Sequence, residues 1–184
     1  VQLTESADDG GLLELVERGE LDFTFVMLPA GDGPFETVEL MRDPYVAVLP
    51  ADSPLATRPK PPSLRELAAM PLIGNRQCRS VHQIENRFRD AGLEPSVVFR
   101  SDDNGTIQEL VAAGVGVALV PLLTVDPAHE GTAVIGLVGV PPRRIGIAWH
   151  RDRYRSPAAR AFVELAQQVG AQVEADQSGA AAAA

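Results

Sequence analysis

The stretch from Ile107 to Pro121 constrains the fold of this chain more than any other part of the sequence. It opens with a helical pattern of apolar residues at spacings of three and four, which ends at Gly114, where a helix needs a left-handed residue to stop. Residues 115–120 have no polar side chain, so they predict a strand covered on both faces, as in a parallel sheet. Pro121 cannot donate to a ladder and closes this strand.

Helical and strand patterns alternate along the rest of the chain, which predicts the α/β class. The predicted helices are 12–18, 64–70, 80–91, 106–113 and 157–169, and the predicted strands are 1–4, 21–28, 72–74, 97–99, 115–120, 134–140 and 145–149, with one or two more in 38–49 around Pro44. The last helix is expected to bury Ala161, Phe162, Leu165, Ala166 and Val169. Residues 171–184 end in alanines and are expected to form a frayed or artificial tail.

Two helix starts carry the pattern of a capping box, in which a hydroxyl residue is followed three positions later by Glu or Gln. These are Ser80 with Gln83, and Thr106 with Glu109.

Six segments, in the right order, resemble the effector-binding domain of the LysR-type transcriptional regulators. The resemblance covers nearly everything from Val1 to about Val169. In the turn at 52–56, Ser53 stands where the family usually has His. The segments are GELDFTFV at 19–26, the strand at 40–50, DSPLA at 52–56, SLREL at 63–67 followed by PLI at 71–73, residues 107–121, and RSPAARAF at 155–162.

This resemblance implies a two-lobed fold like that of the type 2 periplasmic binding proteins. Lobe one would hold residues 1–46 and 141–170, lobe two would hold 47–140, and 171–184 would be the tail. The family's helix-turn-helix, linker helix, and first strand and helix of lobe one would precede Val1, so the chain would begin within lobe one. The resemblance also implies a cytoplasmic homodimer or tetramer that contacts DNA only through the N-terminal domain.

The composition limits the function of the chain itself. A net charge of −9 argues against nucleic-acid binding by these residues, because such binding needs a basic face. No apolar run approaches the length of a membrane span, about 18 to 20 residues. The single cysteine excludes a disulfide within the chain, which suits a reducing cytosol.

The charges are unevenly distributed. Residues 1–43 carry eleven acidic side chains and two basic ones, whereas residues 141–160 carry six arginines and one acidic residue, Asp152. The two segments could attract each other in a self-associating protein. Alternatively, they are two solvated surfaces.

Two loops are candidates for a ligand site, because ligands of open α/β sheets bind beyond the carboxyl ends of the strands. Residues 75–80 and 101–106 each lie between a strand and a helix, whose first N–H groups are unpaired and favour an anion. The predicted ligand is a small carboxylate. By resemblance, the effector positions are Ser6, Pro29, Gln77, Cys78, Arg79, Ser80, Asn104 and Thr106, with Ser6 and Pro29 contributed by lobe one to the cleft between the lobes.

Each of these residues also has a purely structural interpretation. Ser80 and Thr106 would cap helices with or without a ligand, Asn104 would brace a turn, and Arg79 would be solvated. Some family members sense peroxide through a cysteine pair, but the sequence around Cys78 does not match that motif, which favours a small residue of the cleft.

The sequence therefore predicts the effector-binding and oligomerisation domain of a LysR-type bacterial regulator, without metal or cofactor. A periplasmic solute-binding protein of the same fold is the alternative, and an upstream signal peptide would favour it. An enzyme is the second alternative, but no catalytic motif is present: there is no nucleophile elbow, P-loop or paired Cys-x-x-Cys.

Overall fold

The structure is a computed structural model that describes residues 3–6, 9–76 and 79–183, apart from the side chains of residues 9, 79–82 and 178–183. Within these residues, helices and strands alternate and confirm the α/β class. The helices are α1 (Asp9–Arg18), α2 (Leu64–Ala68), α3 (Arg79–Asp90), α4 (Asn104–Ala112) and α5 (Pro157–Ala183). The strands are β1 (Thr24–Leu28), β2 (Phe35–Asp43), β3 (Tyr45–Pro50), β4 (Leu72–Gly74), β5 (Val97–Arg100), β6 (Val117–Pro121), β7 (Thr132–Gly136) and β8 (Arg143–His150).

The chain divides into two compact units. Unit one contains residues 1–43 and 143–184, and unit two contains residues 44–142. The chain therefore leaves unit one once, after Asp43, and returns to it at Arg143.

Unit one is built on a three-stranded antiparallel sheet with the strand order β1-β8-β2. Successive residues of β8 face opposite sides of this sheet. On one side, Ala148 packs with Leu13 of α1. On the other side, Ile147 and Trp149 pack with Val163 of α5. The central strand is thus covered by a helix on each face.

The acidic N-terminal segment and the arginines that precede α5 belong to this same unit, and they pair with each other. Arg143 contacts Asp43 at 2.7 Å, and Arg144 contacts Glu39 at 2.6 Å. Hydrogen bonds from Arg144, and then from Arg42, hold the pKa of the Glu39 carboxyl below its ordinary value. The uneven charge along the sequence is therefore compensated in part within one chain, because β2 and β8 are neighbours in the sheet.

Two predictions for unit one are wrong. Of the strand predicted at 1–4, Leu3 and Thr4 lie in no strand and are exposed, while Val1 and Gln2 lie outside the described residues. The helix α5 does not fray after Val169 but continues to Ala183, in agreement with the high helix propensity of alanine.

The buried face of α5 also differs from the predicted one. Leu165 and Val169 are exposed, whereas Ala159 and Val163 are buried. The reason is Gly170, where a side-chain carbon would lie 2.6 Å from the carbonyl oxygen of Leu40. Because glycine lets the helix approach β2 this closely, the face that contains Gly170 turns toward the sheet. Of the remaining predicted positions, Phe162 and Ala166 are half-buried and Ala161 is exposed.

Unit two is built on a five-stranded sheet in the order β5-β4-β6-β3-β7. The three strands β5, β4 and β6 are parallel, while β3 is antiparallel to both of its neighbours. The strand β6 is buried throughout, as predicted, but in a mixed sheet rather than a wholly parallel one. Val117 and Leu119 pack with Phe88 of α3, whereas Ala118 packs with Val111 of α4 on the other face.

Candidate functional site

The two candidate loops lie at the same edge of the sheet in unit two. The strands β4 and β5 are parallel neighbours and end at Gly74 and Arg100. The chain after Gly74 leads to α3, and the chain after Arg100 leads to α4. Because the carboxyl ends of parallel strands meet at one edge, this arrangement places the starts of two helices beside each other.

Hydrogen bonds join these two loops. The Ser101 N–H donates to the Gly74 carbonyl oxygen at 3.0 Å. The Arg76 N–H donates to Oδ1 of Asp102 at 3.0 Å, and Nη2 of Arg76 donates to the carbonyl oxygen of Arg100 at 3.4 Å. The loop that enters α3 is therefore braced by the loop that enters α4.

Arg100 adds a second brace, which the sequence did not reveal. Its Nη1 donates to the Asn75 carbonyl oxygen at 3.0 Å, and its Nη2 donates to Oε1 of Glu85 on α3 at 2.7 Å. One guanidinium thus holds both the exit of β4 and the body of α3. A cation that ends a strand just before a polar loop was the signal available in the sequence, but its partners are 25 and 15 residues away.

The start of α4 is capped by Asp103, so the predicted cap at Thr106 is wrong. Oδ1 of Asp103 accepts a hydrogen bond from the Thr106 N–H at 2.6 Å. Hydrogen bonds from the side chain and then from the backbone of Thr106 hold the pKa of the Asp103 carboxyl below its ordinary value. Glu109 does not complete a box but contacts Nε2 of His129 at 3.2 Å.

The N-terminus of α4 is consequently occupied by negative charge. The carboxylate of Asp103 satisfies one of its N–H groups, and Asp102 adds a second acidic residue directly before the cap. Asn104 is the first residue of the helix, and both Asn104 and Thr106 are exposed. A ligand carboxylate at this helix start would meet like charge, which disfavours it.

The N-terminus of α3 has the opposite character. The helix begins at Arg79, and its first turn contains no acidic residue. Ser80 is thus the second helical residue and not the cap that was predicted. Oε1 of Gln83 accepts a hydrogen bond from the Tyr45 hydroxyl at 3.0 Å. Gln77 and Cys78 lie outside the described residues, as do the side chains of Arg79 and Ser80.

The two effector positions predicted for lobe one belong to unit one. Pro29 directly follows β1, forms a cis peptide bond with Leu28 and is exposed. Ser6 lies in the segment 3–6, which has no regular structure. Their part in a ligand site stays a prediction.

Gln108 is a buried polar residue of α4 that sequence reasoning missed. Its amide nitrogen donates to the Asp126 carbonyl oxygen at 2.8 Å and to Oγ1 of Thr132 at 3.0 Å. Its amide oxygen accepts from the Asp126 N–H at 3.1 Å. Gln108 therefore ties α4 to the segment between β6 and β7.

A small recess of unit two is lined by Val48, Asn104, Ile107, Gln108, Val120, Thr124 and Val125.

Neither a metal centre nor a membrane span is found in the part of the chain that the structure describes. There, His, Cys, Asp and Glu form no group of three or more that could hold a metal ion. No helix among the described residues is both long and apolar enough to cross a bilayer.

Comparison with known proteins identifies related sequences over nearly the whole chain. A family model described as the LysR substrate binding domain matches residues 1–171. The uncharacterised HTH-type transcriptional regulator YwbI of Bacillus subtilis (strain 168) is 34% identical over 164 residues, which are 85% of this chain and 54% of that protein. The chain spans about half the length of the curated relatives it matches.

Solved structures agree with this match. The C-terminal domain of a probable LysR family transcriptional regulator from Rhodococcus sp. RHA1 is 30% identical, with a TM-score of 0.73 over 86% of this chain and 80% of that one. The BenM effector binding domain with its effector benzoate shares the fold, with 22% identity and a TM-score of 0.75 over 89% of this chain and 76% of that one. The two-lobed fold predicted for the chain is thereby confirmed.

Proposed function

Because the chain belongs to the LysR substrate-binding domain family, we propose that it is the effector-binding domain of a bacterial transcription regulator and that its effector is a small carboxylate. The relatives are transcriptional regulators, which favours this function over a periplasmic solute-binding protein and over an enzyme. Binding of the effector would bias the regulator toward one of its conformations and so alter the action of a DNA-binding domain elsewhere in the whole protein.

One observation carries the choice of an anion: the two neighbouring helix starts have opposite charge. The start of α4 is capped by Asp103, whereas α3 begins with Arg79 and has no acidic residue in its first turn. A helix N-terminus whose first turn has no acidic residue favours an incoming carboxylate through its N–H groups and its dipole. BenM, which shares the fold, has benzoate as its effector, and benzoate is a carboxylate.

A thermal-shift screen on this chain tests the proposal. The probes are pairs of small carboxylates and the corresponding primary amides, which keep the shape but not the charge. At one hundred times the Kd, a cleft ligand stabilises the folded state by about 2.7 kcal/mol, so its Tm shift is measurable. We expect at least one carboxylate to raise the Tm while its amide has a much smaller effect. If the amides stabilise the chain as well as the acids do, the ligand is not recognised by its charge.

We also propose that the domain forms a symmetric dimer and that β5 lies in the contact. Among the described residues, β5 has a ladder partner on one side only, namely β4. Val98 is 51% exposed and Phe99 is 44% exposed, so this open edge presents apolar side chains. An exposed apolar edge strand is a surface on which a second chain can pair.

Placing a charge on this edge is expected to weaken dimerisation. In Val98→Glu, we expect the dimer dissociation constant from sedimentation velocity to rise by about tenfold or more, because a buried unpaired carboxylate opposes association. Val138→Glu is the matched control, since Val138 is 74% exposed and follows β7, the strand at the opposite edge of the sheet from β5. Equal dissociation constants for the two variants would place the contact elsewhere.

A further inference from the structure

The two points at which the chain passes between the units lie side by side. Asp43 is the last residue of β2, Arg143 is the first residue of β8, and these two residues are paired in the register of the sheet. Unit two begins with the next residue after Asp43 and ends with the residue before Arg143. Both connections to unit two therefore start at the same end of the β2–β8 ladder.

A buried ion pair joins the two strands at this end of the ladder. The side chain of Asp43 is fully buried, and that of Arg143 is 14% exposed. Nε and Nη2 of Arg143 each lie 2.7 Å from Oδ2 of Asp43. Removing either partner of a buried ion pair destabilises the fold strongly, because the remaining charge would be left buried without compensation. The pair of Glu39 with Arg144 also joins the two strands, but it is more exposed and therefore a weaker cross-link. Arg42 contacts Glu39 from within β2.

Prolines prevent the backbone ladder from continuing past this pair. Pro44 follows Asp43, and Pro141 and Pro142 precede Arg143. None of these three residues has an N–H group to donate. The ion pair therefore joins the two connections at the residues where they leave unit one.

We propose that the Asp43–Arg143 pair is a latch that holds the two connections together and limits how readily this end of the sheet opens. Any ligand-linked change in unit two reaches unit one along the chain only through these connections. A latch of this kind would set how stiffly such a change is transmitted, which is the part of the inference that rests on the proposed function. The latch itself is independent of which effector binds.

Hydrogen exchange of the unliganded chain, measured by mass spectrometry, tests the latch. Asp43→Asn removes the charge and nearly preserves the shape. We expect backbone amides at residues 41–43 and 143–145 to exchange faster by about tenfold or more, as for a local opening, while amides of β6 in unit two and of α1 in unit one keep their rates. Arg143→Lys, which keeps the charge but loses the planar fork, is expected to show a smaller acceleration in the same segments.

Glu39→Gln is the control, because it breaks exposed ion pairs on the same two strands and should leave these rates unchanged. The latch is overturned if Asp43→Asn accelerates exchange evenly across unit one, since the pair would then be a general stabiliser. It is also overturned if Glu39→Gln has the same effect, or if no segment changes. Should Asp43→Asn fail to fold, the local pattern in Arg143→Lys decides between the same outcomes. Because no effector is present, failure of the carboxylate screen would not affect this result.

Discussion

Replacing Arg79 by alanine is expected to weaken binding of the carboxylate identified by the thermal-shift screen by about one to two orders of magnitude. Each charge-assisted hydrogen bond is worth about 1.5–3 kcal/mol, and about 1.4 kcal/mol corresponds to one decade of affinity. Arg79 is the first residue of α3, where an arginine can pair with a carboxylate while helix N–H groups satisfy its remaining lone pairs. Isothermal titration calorimetry on the wild type and the variant measures the loss.

Arg76→Ala is the matched control for this prediction. The Arg76 side chain donates to the carbonyl oxygen of Arg100, and its backbone N–H, which alanine retains, bonds to Asp102. We expect a smaller loss of affinity in this variant. Folding of Arg79→Ala should hardly change, because α3 is anchored by buried Ile84 and Phe88. Equal affinity of the wild type and Arg79→Ala would mean that Arg79 faces solvent, and the anion assignment for this helix start would fail.

Replacing Gly116 by alanine is expected to destabilise unit two by about 3 kcal/mol, at the upper end of the cost of overpacking. A side-chain carbon at Gly116 would lie 2.5 Å from the carbonyl oxygen of Pro71 and 3.4 Å from Cγ1 of Ile73. That same carbonyl accepts a hydrogen bond from the Val117 N–H at 2.9 Å, where β6 joins β4. The added methyl group must therefore push apart the two backbones at the point where the β4–β6 ladder begins.

Gly136→Ala is the control, since Gly136 ends the edge strand β7 and a methyl group there would meet nothing within 4 Å. We expect this substitution to be neutral or to stabilise the chain by up to about 1 kcal/mol, through the entropy of the unfolded state. Urea unfolding followed by circular dichroism compares the two variants. If both have the same midpoint, the approach of β6 to β4 is looser than the structure indicates.

The sequence predicted most of the elements because their boundaries depend on local chemistry. Gly114 ends its helix with a positive φ of 74°, and Gly92 does so with a φ of 66°. The apolar run that follows Gly114 became the buried strand β6, and Pro44 separates β2 from β3. A residue whose backbone conformation or missing donor leaves few alternatives can be placed without knowledge of its neighbours in space.

The helix caps could not be placed in this way, because several capping residues compete within a few positions. Asp103 and Thr106 are both suitable capping residues for α4, and Asp103 is the one that caps the helix in the structure. A complete capping box is present at α2, where Ser63 and Glu66 bond each other's backbone N–H groups. Local propensity does not decide among neighbouring candidates, since the body of the helix fixes which residue stands at the end.

The polar contacts around the candidate site were beyond sequence reasoning for a different reason. Gln108 bonds to Asp126 and Thr132, and Arg100 bonds to Glu85 and Asn75, all at separations of 15 to 25 residues. No periodic pattern encodes such pairs, because they depend on where the sheet brings distant segments. The pairing of Asp43 with Arg143, 100 residues apart, is the extreme case.

The central position of β8 has a consequence for the order in which the protein is made. Among the described residues, the strands β1 and β2 do not pair with each other, and β8 is the one strand that joins each of them to the sheet. A ribosome adds about 5–20 residues per second, so Arg143, which is 100 positions after Asp43, is added about 5–20 seconds later. All strands of unit two emerge within that interval, whereas β1 and β2 must wait for their partner. Residues 24–43 are therefore synthesised before unit two but are expected to acquire their final structure after it.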